Sequence, residues 1–157
     1  MGDVIPTSTR LKELFLYHHD GILIRNSNGR VAGTPLNTGY YSVMVDGNYH
    51  LLHKLIYCYH HNTWPNVLDH KDRNKENNKI ENLRPASKSL NEANTGLRRN
   101  NSSGYKGVAY HKAAKKWRAY LQCKHIGLFD TIEEAALAYN QRAFETYGEF
   151  AYLNEIH

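Results

Sequence analysis

The chain has 157 residues, with 20 Lys or Arg against 15 Asp or Glu and a formal net charge of +5 when its histidines are neutral. That length suits one domain or two compact units of roughly fifty to ninety residues each. Two cysteines, Cys58 and Cys123, exclude a disulfide framework and a CxxC zinc knuckle. No apolar run approaches the roughly 20 residues needed to cross a bilayer, and the N-terminus lacks a signal-peptide core. The expectation is an intracellular protein that is neither secreted nor membrane-bound.

In chain order, the first fifty residues are punctuated by Asp20-Gly21, Asn28-Gly29, Gly33, Gly39 and Asp46-Gly47, with short apolar stretches between them, which predicts hairpins. From His50 to His61, Leu52, Leu55, Ile56 and Tyr59 fall at helical spacing, and Trp64-Pro65 ends that helix. The segment from Val67 to Lys75 reads as strand, turn and strand, and Asn78 to Arg84 as a short helix capped by Asn78. Thr95 to Ser103 is polar, basic and without apolar period, as a linker is. Beyond it, strands are expected at Tyr105 to Tyr110, Lys116 to Cys123, and Lys124 or His125 to Phe129. A long helix follows, opened by the capping-box pair Thr131 and Glu134 and stopped by Gly148. The expected division is 1–94, with a β-rich part at 1–49 and a ββα motif at about 50–94, then a linker at 95–103 and a second domain at 104–157.

Charge is unevenly spread. Between Lys88 and Lys124 there are nine Lys or Arg and one acid, Glu92; from His125 onward there are six acids and a single Arg142. A basic middle suits a polyanionic partner, while the plainer reading is a solvated face.

The stretch from Leu68 to Arg84, LDHKDRNKENNKIENLR, is too polar for a core element. Hydrolysing a phosphodiester needs a base to activate water, a divalent ion at the scissile phosphate, and a rigid frame for both. Asp69 offers a carboxylate ligand, His70 a base on the opposite side of the strand, and Asn91 an amide oxygen from a following helix. Oxygen ligands suit Mg2+ or Mn2+. The competing reading is an exposed Asn- and Asp-rich turn. A calcium loop fails, because Lys71 and Arg73 stand at ligand positions counted from Asp69, and Leu83 stands at the closing position counted from Asp72. No GxSxG occurs, and neither cysteine has an activating context.

The run from His50 to Ser87, with an apolar His-bearing helix, then Trp64-Pro65, then DHxDxNxxNNxxxNLR, then Asn91, resembles the HNH endonucleases of phages and mobile introns. The resemblance implies a ββα-metal site in which His70 is the general base and Asp69 and Asn91 bind one divalent ion. It further implies that Asn82 braces the loop and that His53 packs structurally behind the site. Lys71 and Arg84 are either phosphate contacts or solvated surface groups.

From Ser103 onward the chain resembles the AP2 domain, through Tyr105-Lys106-Gly107-Val108, Trp117 with Ala119, Gly127-Leu128-Phe129-Asp130-Thr131, Glu133-Glu134-Ala135-Ala136 and Leu153-Asn154. That family's fold is a three-stranded antiparallel sheet backed by one helix, with the sheet in the DNA major groove. Lys106, His111, Tyr120, Gln122 and Lys124 are then expected on the DNA face, with Lys112, Lys115 and Lys116 near the first turn, and Trp117 as core beneath the helix. Arg98 and Arg99 of the linker would lie along phosphates. Ala109 and Ile126 stand where the plant transcription factors carry base-facing groups, so plant-type target preference does not transfer.

Together these readings predict an α+β chain in two modules. The expected activity is a metal-dependent DNA endonuclease of phage or homing type, in the cytoplasm of a bacterial host. Its expected partner is double-stranded DNA, without a small-molecule cofactor, and its expected state is monomer or homodimer. The alternative is a DNA-binding regulator with an inactive HNH remnant.

Overall fold

The computed structural model describes residues 4–157. They fall into two compact units, which divide between Ser87 and Lys88. The fold is mixed α and β, built from small antiparallel sheets with helices on them.

The first unit opens on helix α1 (Ser8–Leu14), whose N-cap Thr7 accepts a hydrogen bond from the Arg10 backbone N–H. Sequence pattern predicts only hairpins here. The helix has seven residues and buries just Ser8 and Leu11, too few to print a helical period. Strands β1 (Phe15–His18), β2 (Ile22–Arg25) and β3 (Val31–Ala32) form one antiparallel sheet, and β4 (Thr34–Pro35), β5 (Tyr41–Val45) and β6 (Asn48–Leu51) form another. Asp46 and Gly47 between β5 and β6 both take left-handed backbone, with φ of 47° and 84°, as a tight primed hairpin turn requires.

Helix α2 (Leu52–His61) begins directly after β6, so His50, expected in the helix, lies instead in a strand opposite Val43. The buried face of α2, with Leu52, His53, Leu55, Ile56 and Cys58, joins Leu11, Phe15, Leu23 and Val43 in a single core. Strand β7 (Val67–His70) then pairs antiparallel with β8 (Leu83–Ala86), and Asp69 faces Arg84 while His70 faces Leu83. The expected second strand to Lys75 and the expected helix from Asn78 to Arg84 are both replaced. Residues 71–82 are a loop closed by a 3-10 turn at Ile80–Asn82, and residues 83–86 take their backbone partners from β7 rather than from their own chain.

The turn between β1 and β2 is pressed against this loop. A Cβ on Gly21, which has φ of +79°, would sit 2.4 Å from both the Asn78 carbonyl carbon and the Lys79 nitrogen. The Tyr17 hydroxyl accepts a hydrogen bond from the Ile80 N–H at 3.1 Å.

In the second unit, helix α3 (Lys88–Asn94) precedes strands β9 (Val108–His111), β10 (Lys116–Leu121) and β11 (Lys124–Phe129), which form one antiparallel sheet in the order β11-β10-β9. Helix α4 (Ile132–Tyr147) packs on that sheet, and its buried Ala135, Ala136 and Ala143 let the backbones approach. Both halves of the Thr131–Glu134 capping box form, and Gly148 caps the other end. The division between units precedes the expected 95–103 linker because α3 is tied into the second unit. The Lys106 ammonium donates to the carbonyls of Ala93 and Thr95 at 2.8 and 2.6 Å, and the Tyr152 N–H donates to that of Ala93 at 3.1 Å. No described helix is long and apolar enough to cross a membrane.

Candidate active site

The β7–β8 ladder places an acid and a base side by side. Asp69 and His70 are both 4% exposed. Side chains of consecutive strand residues leave on opposite faces, so the two groups have different surroundings. The Arg84 guanidinium, across the ladder from Asp69, sends Nε and Nη2 to the same carboxylate oxygen, Oδ2, at 2.9 Å each. One edge of the carboxylate is thereby anchored in a fixed direction. A carboxylate is a hard oxygen donor of the kind that suits a divalent ion such as Mg2+ or Mn2+. Arg84 is therefore a buried partner of the acid and not a solvated surface group.

His70 Nε2 lies 3.0 Å from Oδ1 of Asn78, which is itself buried. The Asn78 amide is oriented by its own Nδ2, which donates to the Glu76 carbonyl at 3.3 Å, so the oxygen is the atom turned toward the ring. An amide oxygen accepts only, which places the proton of a neutral His70 on Nε2 and leaves Nδ1 as the basic nitrogen. Sequence reading treated Asn78 as a helix cap; its fixed tautomer-setting contact had no local signal.

The loop that carries these contacts is braced by Asn82. Its Oδ1 accepts the Asp72 N–H at 3.1 Å, and its Nδ2 donates to Asp72 Oδ1 at 2.9 Å and to the Asn77 carbonyl at 2.8 Å. Burial works against the Asp72 carboxylate, but hydrogen bonds from Asn77, the Asn74 N–H and Asn82 outweigh it and hold its pKa below the usual value. Lys71, exposed, donates to the Glu81 carbonyl at 2.7 Å.

Two aromatic rings from outside the loop complete the surroundings. His53 of α2 lies edge-on to His70, ring centres 5.3 Å apart, and Tyr40 lies 5.1 Å from His53 and 6.1 Å from His70. Burial, then the nearby charges of His70 and Lys54, press the His53 pKa down to about 3. The sign follows directly: below its ordinary pKa of about 6.5 the unfolded chain binds a proton that the folded one refuses, so stability falls as pH drops from 6.5 towards 3. Urea unfolding at pH 7 and pH 4.5 should differ by about 2 kcal/mol more in the wild type than in His53→Gln. An equal pH response in both proteins would contradict a neutral buried His53.

The remaining candidate residues lie in the second unit. Asn91 is half-buried on α3. Arg98 and Arg99 are exposed, as are Lys112, Gln122 and Lys124. His111 Nδ1 accepts the Ala114 N–H at 3.1 Å and so shapes the β9–β10 turn, and Gln122 Nε2 donates to Ser89 Oγ at 3.3 Å. Lys106 spends its ammonium on the carbonyls of Ala93 and Thr95 at the end of α3 and is not presented on the sheet. Strand alternation and register turn Val108 and Ala119 into the core, with Trp117 packed against it, and put Ala109, Arg118 and Tyr120 on the opposite face. Arg118 stacks 5.5 Å above the Tyr120 ring. Arg118 is absent from the residues expected on the DNA face, although its period-2 relation to Tyr120 places it there.

Residues 50–93 match the family model of the HNH endonucleases. This segment is similar to the HNH endonucleases. It runs from the end of β6 through α2, β7, the loop just described and β8 into α3. A solved structure of DNA binding and cleavage by the HNH homing endonuclease I-HmuI is similar to 51% of this chain at 24% identity, with a TM-score of 0.43. The likeness covers 50% of that chain, so the present sequence spans about half its length. No curated protein matches the sequence.

Proposed function

We propose that this protein is a metal-dependent DNA endonuclease that hydrolyses phosphodiester bonds, of the phage or homing kind. One observation carries the reading: an HNH module whose His70 has its tautomer set by Asn78 beside an Asp69 carboxylate aimed by Arg84. His70 Nδ1 takes the proton of the attacking water, and the Nε2–H bond to Asn78 keeps the ring in place as charge develops. Asp69 is the carboxylate ligand for a divalent ion, Mg2+ or Mn2+. When bound, such an ion draws charge from the scissile phosphate and the leaving oxygen. Asn82 keeps the loop closed so that these groups hold their spacing. Replacing Asp69 by Asn tests the assignment: cleavage of duplex DNA should fall sharply and its metal requirement shift to higher concentration. Cleavage at the wild-type rate and metal dependence would remove Asp69 from the site.

The second unit is a DNA-gripping module of the AP2 kind. Its three-stranded sheet offers Arg118, Tyr120, Lys116 and His111 on the face away from α4, with Lys112 and Lys124 exposed on the turns. Arg contacts to phosphate lend affinity that salt weakens. Arg118→Ala should weaken duplex binding and lower the slope of log affinity against log salt by about one. A slope and affinity equal to wild type would place the DNA elsewhere than on this face. The preceding Arg98 and Arg99 add charge for the same partner.

A further inference from the structure

The loop between β4 and β5 lies outside the residues matched to the HNH family, yet it delivers a side chain to the acid–base pair. The loop is closed on itself by Leu36 N–H to the Tyr40 carbonyl at 2.7 Å and Gly39 N–H to the Leu36 carbonyl at 2.9 Å. It presents the half-buried Tyr40 ring to both His53 and His70. Lys75, from the tip of the catalytic loop, reaches back across it. Its Nζ donates to the Thr38 carbonyl at 2.9 Å and stands 4.5 Å over the Tyr40 ring.

Packing alone would account for a tyrosine ring against two imidazoles, but not for the two polar ends. An ammonium has three N–H donors, and only one is used by Thr38. Among the described residues, no group hydrogen-bonds the Tyr40 hydroxyl, and a phenol O–H is a donor. A lysine donor and a phenol donor therefore meet at a ring whose centre is 6.1 Å from that of His70, the group near which a substrate phosphate must lie if His70 is to activate water against it.

We propose that Tyr40 and Lys75 form a binding clamp for a DNA phosphate at the cleavage site, contributed in part by a loop that precedes the HNH motif. The clamp rests on the endonuclease reading and adds to it the groups that hold the phosphate. The lysine supplies charge, and the phenol supplies a directed hydrogen bond to a non-bridging oxygen. The cation–π contact fixes the lysine near the ring before DNA arrives, which spares ordering entropy on binding.

The test is single-turnover cleavage of a supercoiled plasmid across a range of protein concentrations, using wild type, Tyr40→Phe, Lys75→Ala and Lys75→Arg, each with its thermal unfolding midpoint. Tyr40→Phe keeps the ring and its packing and should lower the maximal rate on the order of tenfold with the midpoint unchanged. Lys75→Ala should raise the half-saturating concentration on the order of tenfold, and Lys75→Arg should restore most of it. Wild-type rates and half-saturation in Tyr40→Phe and Lys75→Ala would overturn the clamp while leaving the endonuclease intact. Losses that merely track a lowered unfolding midpoint would also overturn it, reducing the pair to a structural brace. An inactive wild type would overturn the endonuclease reading and the clamp with it.

Discussion

His70→Ala protein should bind duplex DNA as the wild type does and cleave it about 100- to 10,000-fold more slowly, the range that loss of a positioned general base produces. Two features of the structure set this expectation. His70 is 4% exposed and its Nε2 is committed to Asn78, so its contribution is a single directed nitrogen and not a surface charge that grips DNA. The groups proposed to grip, Arg118 and its neighbours on the β9–β11 sheet, belong to the other compact unit and keep their own core. A gel-shift titration run beside a cleavage time course separates the two effects. Parallel loss of binding and cleavage would mean that His70 holds the fold or the DNA, contrary to its assignment as base.

Arg84→Ala should destabilise the protein by about 3–5 kcal/mol, because it removes the guanidinium from a buried carboxylate. The side chains of Arg84 and Asp69 are 10% and 5% exposed, well below the exposure at which solvent screens an ion pair to little value. Both contacting nitrogens converge on Oδ2, so even Arg84→Lys loses one of the two bonds and the planar fork that aims the acid. Equilibrium urea unfolding gives the comparison directly. A loss below about 1 kcal/mol would mean that the pair behaves as a solvated one. Cleavage by the lysine variant, measured where it remains folded, should be lower than wild type, since the carboxylate would no longer be aimed from a fixed edge.

What the sequence disclosed depended on whether the signal was local. The Thr131–Glu134 box and the Asp46-Gly47 turn each write their meaning within a few residues, and the structure forms both. The pairing of Arg84 with Asp69 has no local signal, because the partner is 15 positions away across a ladder whose second strand has a helix-like sequence. Leu83 and Arg84 carry no strand-like alternation of their own; they are strand because His70 and Asp69 stand opposite. Lys106 looked like a phosphate contact by position, and nothing near it in sequence announces that three carbonyls, of Glu92, Ala93 and Thr95, take its ammonium. Tyr40 and Lys75 meet only through tertiary packing, over a separation that no periodicity spans. The order of the motif along the chain is legible, and the contacts by which Asn78 and Arg84 hold His70 and Asp69 are not.

Incubation of wild-type protein with supercoiled plasmid in Mg2+ or Mn2+, and in parallel with chelator, tests the central assignment most directly. Conversion to open-circle or linear DNA in the presence of the ion and none with chelator is the expected result. Intact plasmid under every ion, by a protein that still binds DNA, would contradict it and point instead to a DNA-binding regulator built on an HNH module that no longer cuts.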